Sequence, residues 1–388
     1  MGNLLIQPVS MIVLTGGPCS GKSSSLAHLT QKLSDHGFMV FVVPETATLI
    51  TNNGIDRRKM DKLKQVVMFE ETIFDMQLAF EEIYKKAVKR IFPERKKIIL
   101  LDRGIMDVKA FIPQDDFKAI LEKKRLSEVS LRDRYSGVIH LVTAAEGAIE
   151  FYNGSNNSAR LETPEEALRF DHAIRESWLG HPHFKIIDNR TDFDGKIKRT
   201  FTAISQFLNI PVSSERKEKY LVKTIDYSNL PVHQTIEFSE IYLRIKNESE
   251  EVRIRKRGQD GAYLYFLTRK KAIKNHENYI EEEEIITEQE FNTLKNLIDP
   301  KTLIIEKERI CFLWNNQYFE LDKYKGLNEG LIILEIEQFE KHGKKDSTQT
   351  PPFISIEKMI TGNPSYSTKK LALKHRNKKQ STASNNIP

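Results

Sequence analysis

The stretch IVLTGGPCSGKSSSLAHL, residues 12–29, constrains this chain more than any other. An apolar, strand-like run enters two glycines, and Gly21, Lys22 and Ser23 begin five residues after the first of them. This spacing satisfies G-x-x-x-x-G-K-[ST], a pattern whose glycines let main-chain amides wrap a phosphate between a strand and a helix. Gly16, Gly17, Pro18, Cys19, Ser20, Gly21, Lys22, Ser23 and Ser24 are therefore the expected cradle. Lys22 would span the β- and γ-phosphates, and the Ser23 hydroxyl would take Mg²⁺.

The remaining strands follow from that first unit. FMVFVVPE is a buried run ending at Glu45, KKIILLDRG ends on Asp102, and SGVIHLVT and HFKIIDN complete five parallel strands. Helical periodicity covers Lys22 to about Ser34 and Asp61 to Ile91, and Pro164, Glu165 and Glu166 open another helix. The fold class expected is an α/β P-loop NTPase domain, a doubly wound parallel sheet, over about residues 8–210. After FLNIPVSS the period changes to two. QTIEFSEIYLRI, EVRIRKRG, GAYLYFLTRKK, IEEEEIIT, TLIIEKERICFLW, QYFELDKY and LIILEIEQF alternate between turn signals, so a second domain reads as an antiparallel β-barrel or tunnel of seven or eight strands. The expected boundaries are 1–212, 213–366 and a basic tail, 367–388. That tail holds six Lys or Arg and no acid, and its composition predicts disorder.

Composition narrows the function classes. With 388 residues, 39% hydrophobic and 29% charged, the chain has material for two cores. No apolar run approaches the roughly 18 to 20 residues of a membrane-spanning helix. The opening lacks a basic leader, and Ile6 stands where a myristoylation signal on Gly2 favours Ser or Thr. Two cysteines, Cys19 and Cys311, form no disulfide framework, so a cytoplasmic, reducing compartment is expected.

Further candidates sit at strand ends. Asp102 would hold Mg²⁺ through water or simply cap a loop. Glu45 is placed for general-base work on an acceptor hydroxyl, or for capping the next helix. Arg103 would fix the acceptor or steady the transferring phosphoryl group, Asp107 adds a second carboxylate or lies on the surface, and Gln77 lies on a helix facing the same crevice but reads as a solvated residue. Arg160 and Arg169 occupy a segment where a lid would bring guanidinium groups onto phosphate. Asn189-Arg190-Thr191-Asp192 approximates N-K-x-D, in which Asp192 would accept hydrogen bonds from guanine, or else forms an ordinary turn. The bound nucleotide is GTP or ATP. In the second domain Arg253, Arg255 and Arg257 share one strand face, as do Lys307 with Arg309 and Glu335 with Glu337. Such rows are either solvated faces or the lining of a polar tunnel that chelates phosphates.

Several of these motifs carry resemblances. Asp102-Arg103 is similar to the Asp-Arg pair of nucleoside and nucleotide kinases of the P-loop class, whereas signalling GTPases show D-x-x-G and Gly104 comes one residue early. ERKEKYLV, VRIRKRG, LTRKK, EKERICF, YFELDKY and LEIE, over about residues 215–342, resemble the CYTH or triphosphate-tunnel superfamily. That resemblance implies an anion tunnel drawing on Glu215, Lys219, Arg253, Arg255, Arg257, Lys270, Lys307, Arg309, Glu335 and Glu337. Lys217 stands where the opening E-x-E-x-K signature has its second glutamate, which weakens metal binding and favours phosphate binding over triphosphate hydrolysis. The whole arrangement, a NadR-like AAA-type P-loop domain followed by a CYTH-like module and ITGNPSYS, resembles the family of the fly TRPL translocation defect protein. The resemblance implies GTP binding, affinity for phosphatidic acid and a membrane-linked trafficking role. The basic tail would then dwell at a peripheral membrane surface; few aromatics interleave its charges, so nucleic acid is the less favoured partner. The alternatives are a small-molecule kinase using Glu45 and Arg160, and a tripolyphosphatase acting through the tunnel.

Overall fold

The structure, a computed structural model, describes residues 8–152, 163–208, 210, 217–245, 250–272, 279–315, 317–337 and 349–373. The chain divides into two compact units, Met1–Val212 and Ser213–Pro388. Arg160 and Glu215 lie outside the described residues, as does the side chain of Glu337.

In the first unit, β1 (Val9–Thr15), β2 (Met39–Val43), β3 (Lys97–Asp102), β4 (Gly137–Leu141) and β5 (Phe184–Ile187) form one parallel sheet in the order β2-β3-β1-β4-β5. β3, β4 and β5 are buried along their whole length, which explains why each reads as a continuous apolar run rather than an alternating one. β1 is the central strand, and its carboxyl end opens into the glycine loop and then α1 (Lys22–Asp35). Leu26, Leu29 and Leu33 give α1 a buried stripe at helical spacing. α2 (Thr46–Asn52) and α3 (Leu63–Ile91) follow β2; α4 (Gln114–Lys124) and α5 (Glu128–Arg132) lie between β3 and β4 in the chain. α6 (Pro164–Ser177) starts at a reciprocal cap between Thr163 and Glu166 with Pro164 at its first position. α7 (Phe193–Phe207) starts on Asp192, whose side chain accepts from the Gly195 amide at 2.8 Å.

The second unit is a nine-stranded antiparallel sheet. Its strands are β6 (Lys217–Ile225), β7 (His233–Tyr242), β8 (Glu250–Gln259), β9 (Ala262–Ala272), β10 (Tyr279–Ile286), β11 (Ile305–Trp314), β12 (Gln317–Tyr324), β13 (Ile332–Glu337) and β14 (Ile354–Met359). They run in the order β10-β9-β8-β7-β11-β12-β13-β6-β14. α8 (Glu288–Leu294) interrupts them after β10. β6 and β14 go beyond the seven runs read from the sequence. α9 (Thr368–Ala372) corrects the reading of the tail: Leu371 and Ala372 are buried beside Ile305 and Tyr324, so apolar contact orders the start of a segment whose composition suggests disorder. The rest of that tail, residues 374–388, lies outside the described residues.

One face of the sheet is an apolar core. Val222, Ile310, Phe312, Phe319, Leu321, Leu334 and Ile336 pack together, with the Phe312 and Phe319 rings stacked 5.2 Å apart. The residues between them point to the opposite, charged face, because side chains alternate along each strand. Replacing Leu334, which is fully buried, by Ala should cost about 3 kcal/mol through lost transfer energy and a residual cavity. Equilibrium urea unfolding of the full chain reads this as a lower midpoint of the transition that includes this sheet; an unchanged midpoint would mean Leu334 does not pack as described.

Candidate phosphate-binding site

Two glycines make the loop geometrically possible. Gly16 adopts φ 145° in the left-handed half of conformational space, and a Cβ there would come 2.1 Å from the Leu141 carbonyl oxygen. Gly21 has φ 83°, and a Cβ would meet the Phe193 ring at 3.2 Å. Between them the chain doubles back so that the Lys22 ammonium donates to the carbonyls of Gly16 at 2.9 Å and Gly17 at 3.0 Å, and to Ser20 Oγ at 3.2 Å. Burial, then the Arg103 guanidinium, push the Lys22 pKa down to about 8, against the pull of Asp102, Glu45 and Asp107. Ser23 and Ser24 are exposed on the first turn of α1. Pro18 and Cys19 supply carbonyls that tie the loop to the segment after β4: Thr143 Oγ1 donates to Pro18 O at 2.5 Å, and the Ala144 amide donates to Cys19 O at 3.1 Å.

A charged strip lies at the ends of β2 and β3. Arg103, held at φ 73°, forms an ion pair with Glu45 and approaches Asp107 at 3.5 Å. Burial works against the Glu45 charge, yet Arg103 and then Lys22 outweigh it and hold the carboxyl at about 2. Glu45 stands at the N-cap position of α2, but its side chain caps nothing and instead accepts from Thr48 Oγ1 at 2.5 Å. Asp107 is buried rather than on the surface: it accepts from Thr15 Oγ1 and Trp178 Nε1, each at 2.6 Å. Asp102 is buried, and its Oδ1 has no hydrogen-bond partner in the structure. Burial pushes its carboxyl up, against the pull of Lys22. An orphaned buried acceptor beside the loop is what a hydrated cation would satisfy, so Asp102, with the exposed Ser23 hydroxyl, fits a Mg²⁺ ion. Among the described residues no cluster of three His, Cys, Asp or Glu offers a ready-made metal cage.

Gln77 is a correction. It is buried on α3, where it accepts from Thr46 Oγ1 at 2.6 Å and donates to Glu81 at 3.0 Å, because the inward stripe of α3 carries polar groups among its aromatics. Glu70 on the same stripe is pushed up to about 7 by burial, against Arg57 and Arg103. Arg169 is exposed on α6. Asn189 donates to the carbonyls of Thr143 at 2.7 Å and Glu146 at 2.8 Å, so it clamps the end of β5 to the segment after β4.

Two residues that sequence reasoning passed over hold the loop in place. Asp171 Oδ1 accepts from the Gly17 amide at 2.9 Å and the Thr143 amide at 3.0 Å, while Arg175 donates to Oδ2. Although burial opposes it, His140, Arg175 and the Gly17 amide keep this carboxyl well below the usual range. Lys196 donates to Ser20 O at 3.1 Å, Val142 O at 2.8 Å and Asn189 Oδ1 at 2.7 Å. The signal available was positional: both sit on the buried faces of α6 and α7, where a charge needs a dedicated partner.

In the second unit, the sequence-predicted cations converge on the charged face. Arg309 makes a two-pronged contact with Asp322 at 2.6 and 2.8 Å and reaches Glu320 at 2.8 Å; Lys307 reaches Asp322 at 2.8 Å and Glu240 at 3.5 Å. Arg253 approaches Glu240 at 3.2 Å, Lys219 approaches Glu335 at 2.6 Å, and Arg255 pairs with Glu283. Arg257, Lys307 and Arg309 surround the Phe238 ring at 5.4, 5.2 and 5.3 Å. Lys270 lines a small cavity with Glu251, Arg253 and Thr268. This is a packed ionic network and not a solvated row.

The Glu45–Arg103 pair has a pH signature. Because the folded-state pKa of about 2 lies below the ordinary glutamate value of about 4.3, the pair stabilises the fold above that value and loses its contribution as pH falls towards 2. Urea midpoints measured between neutral and acid pH should therefore fall less steeply below about pH 4.5 for Glu45→Gln than for the parent chain. Identical profiles would mean the pair does not stabilise the fold.

Residues 11–196 match the family described as AAA domain, a match that ends within the first unit. No curated protein matches the chain. Among solved structures, the inorganic triphosphatase NE1496 is similar at 26% identity with a TM-score of 0.33, over 41% of this chain and 97% of that chain. The PH1819 protein from Pyrococcus horikoshii OT3 is similar at 22% identity with a TM-score of 0.24, over 33% of this chain and 80% of that one. The glycine loop, Lys22 and Asp102 all fall inside the AAA-domain match, so the first unit is similar to that family over the residues that build its candidate site.

Proposed function

We propose that the first unit binds a Mg²⁺-nucleoside triphosphate, GTP or ATP, and hydrolyses it slowly. The observation that carries this reading is the Lys22 ammonium, gathered by three oxygens of its own loop at the N-terminus of α1, beside the orphaned Asp102 carboxyl. Incoming phosphates exchange those loop oxygens for charged ones, a stronger partner for the same cation. The chemistry Mg²⁺ supplies when bound is charge neutralisation across the β- and γ-phosphates. Glu45 is engaged by Arg103 and Thr48, and a carboxyl held at about 2 is a poor proton acceptor near neutrality, which agrees with slow turnover whichever hydroxyl attacks.

For the second unit the reading is binding of a phosphorylated anion, a phosphomonoester such as the phosphatidic-acid headgroup, in a membrane-linked role. Lys219, Arg253, Arg255, Arg257, Lys270, Lys307 and Arg309 supply the guanidinium and ammonium donors. Glu240, Glu251, Glu283, Glu320, Asp322 and Glu335 share the neighbourhood, so the face is nearly neutral. A compact dianion displaces few of these pairs, whereas tripolyphosphate would meet several carboxylates. This favours the phosphomonoester over the tripolyphosphatase alternative.

Radiolabelled γ-phosphate followed with the full chain and Mg²⁺ tests the first reading: label should appear as free phosphate, with none on added nucleosides. Calorimetry should show Lys22→Ala weakening nucleotide binding by about 10- to 100-fold, the loss of a charge-assisted contact. Asp102→Asn should lower turnover and Mg²⁺ dependence together. Undiminished affinity in Lys22→Ala overturns the proposal, and label on an acceptor turns it into a kinase. For the second reading, vesicles carrying phosphatidic acid should retain the chain better than vesicles of equal charge made with phosphatidylserine; equal retention overturns it.

A further inference from the structure

We propose that Phe193 is the nucleobase-stacking residue of the first unit, so that this site holds nucleotides by ring overlap and discriminates weakly between bases, guanine and adenine included. The inference rests on the nucleotide-binding reading above and adds where the base sits.

Four observations converge on this ring. Phe193 is 40% exposed although it opens α7 directly beside the phosphate cradle. Its edge lies so close to Gly21 that a Cβ there would stand 3.2 Å from Cε2, which places the ring against the last residue of the glycine loop. His28, exposed one turn beyond Ser24 on α1, meets it edge-on with centroids 5.9 Å apart and planes at 66°. The backbone that presents Phe193 is also tied to the cradle. Lys196 bridges Ser20 O and Asn189 Oδ1, and Asn189 is fixed to the segment after β4. The ring therefore stands at a set distance from the phosphates before any ligand arrives, which removes an ordering cost from binding.

The residue that would read guanine is already engaged. Asp192 accepts from the Gly195 amide at 2.8 Å as the cap of α7, and a base contact would have to share that carboxylate. Stacking needs no such group, because every base offers a π-face, and a single aromatic platform typically accounts for an affinity change of about 10- to 100-fold.

The test is calorimetry on the full chain with Mg²⁺ and three probes: GTP, ATP and inorganic tripolyphosphate. Phe193→Ala should weaken GTP and ATP alike by about 10- to 100-fold. It should leave unchanged that part of tripolyphosphate binding which Lys22→Ala abolishes. Phe193→Trp should retain nucleotide affinity, and Phe193→Leu, which keeps apolar bulk over Gly21 without a π-face, should behave like Ala. Thermal melting checks that each variant is folded. The proposal is overturned if Phe193→Ala or Phe193→Leu binds nucleotides within twofold of the parent, or if tripolyphosphate binding falls in parallel, which marks a packing role. If the parent chain shows no Lys22-dependent nucleotide binding, the reading beneath the proposal fails with it; normal parent binding with an indifferent Phe193 sinks the stacking assignment alone.

Discussion

A glycine-rich loop is a phosphate cradle only if something stiffer than glycine holds it, and here that task falls to two buried charges. The Asp171 carboxylate fastens the Gly17 amide, and the Lys196 ammonium fastens the Ser20 carbonyl, from α6 and α7 respectively. Each pays for its desolvation with several charge-assisted hydrogen bonds, the condition under which a buried ion is tolerated. The loop's shape is thus a property of the whole parallel sheet and its helices, since Val142 and Thr143 enter the same network from the segment after β4 and Asn189 from the segment after β5. Removing either charge would leave the motif intact in sequence and loosened in space.

The second unit solves a related problem with opposite means. Its sheet has one face of stacked aliphatic and aromatic side chains and one face on which acids and bases pair across strands beside smaller apolar clusters, with Asp322 fully buried between Lys307 and Arg309. Burial alone would push this carboxyl up; the two cations hold it well below its ordinary range. A face built from such pairs is rigid and nearly neutral, and any anion that enters must compete with carboxylates already in place. Phe238 contributes in a different way, because its ring lets three cations crowd together where bare charges would repel.

Much of this was legible from residue order. The strand–loop–helix motif at residues 12–29, the five apolar runs and the change to period two after residue 210 led directly to a parallel sheet followed by an antiparallel one. The candidate site was legible only where a motif named it. Asp171 and Lys196 carry no motif; their importance comes from where α6 and α7 dock, and Gln77 turned inward because α3 buries polar groups among its aromatics. The order at Leu371 and Ala372 was hidden by the lysines around them, which say nothing about a distant apolar pocket.

The sequence by itself determined the elements, because local periodicity and glycine chemistry act between neighbours in the chain. It also determined which residue types were available to meet a phosphate. Only the tertiary structure decided which charges are spent on one another and which remain for a ligand. Pairing depends on distances between groups more than a hundred residues apart, as for Lys219 with Glu335 and Gly17 with Asp171, and burial multiplies the strength of whatever pairing those distances allow.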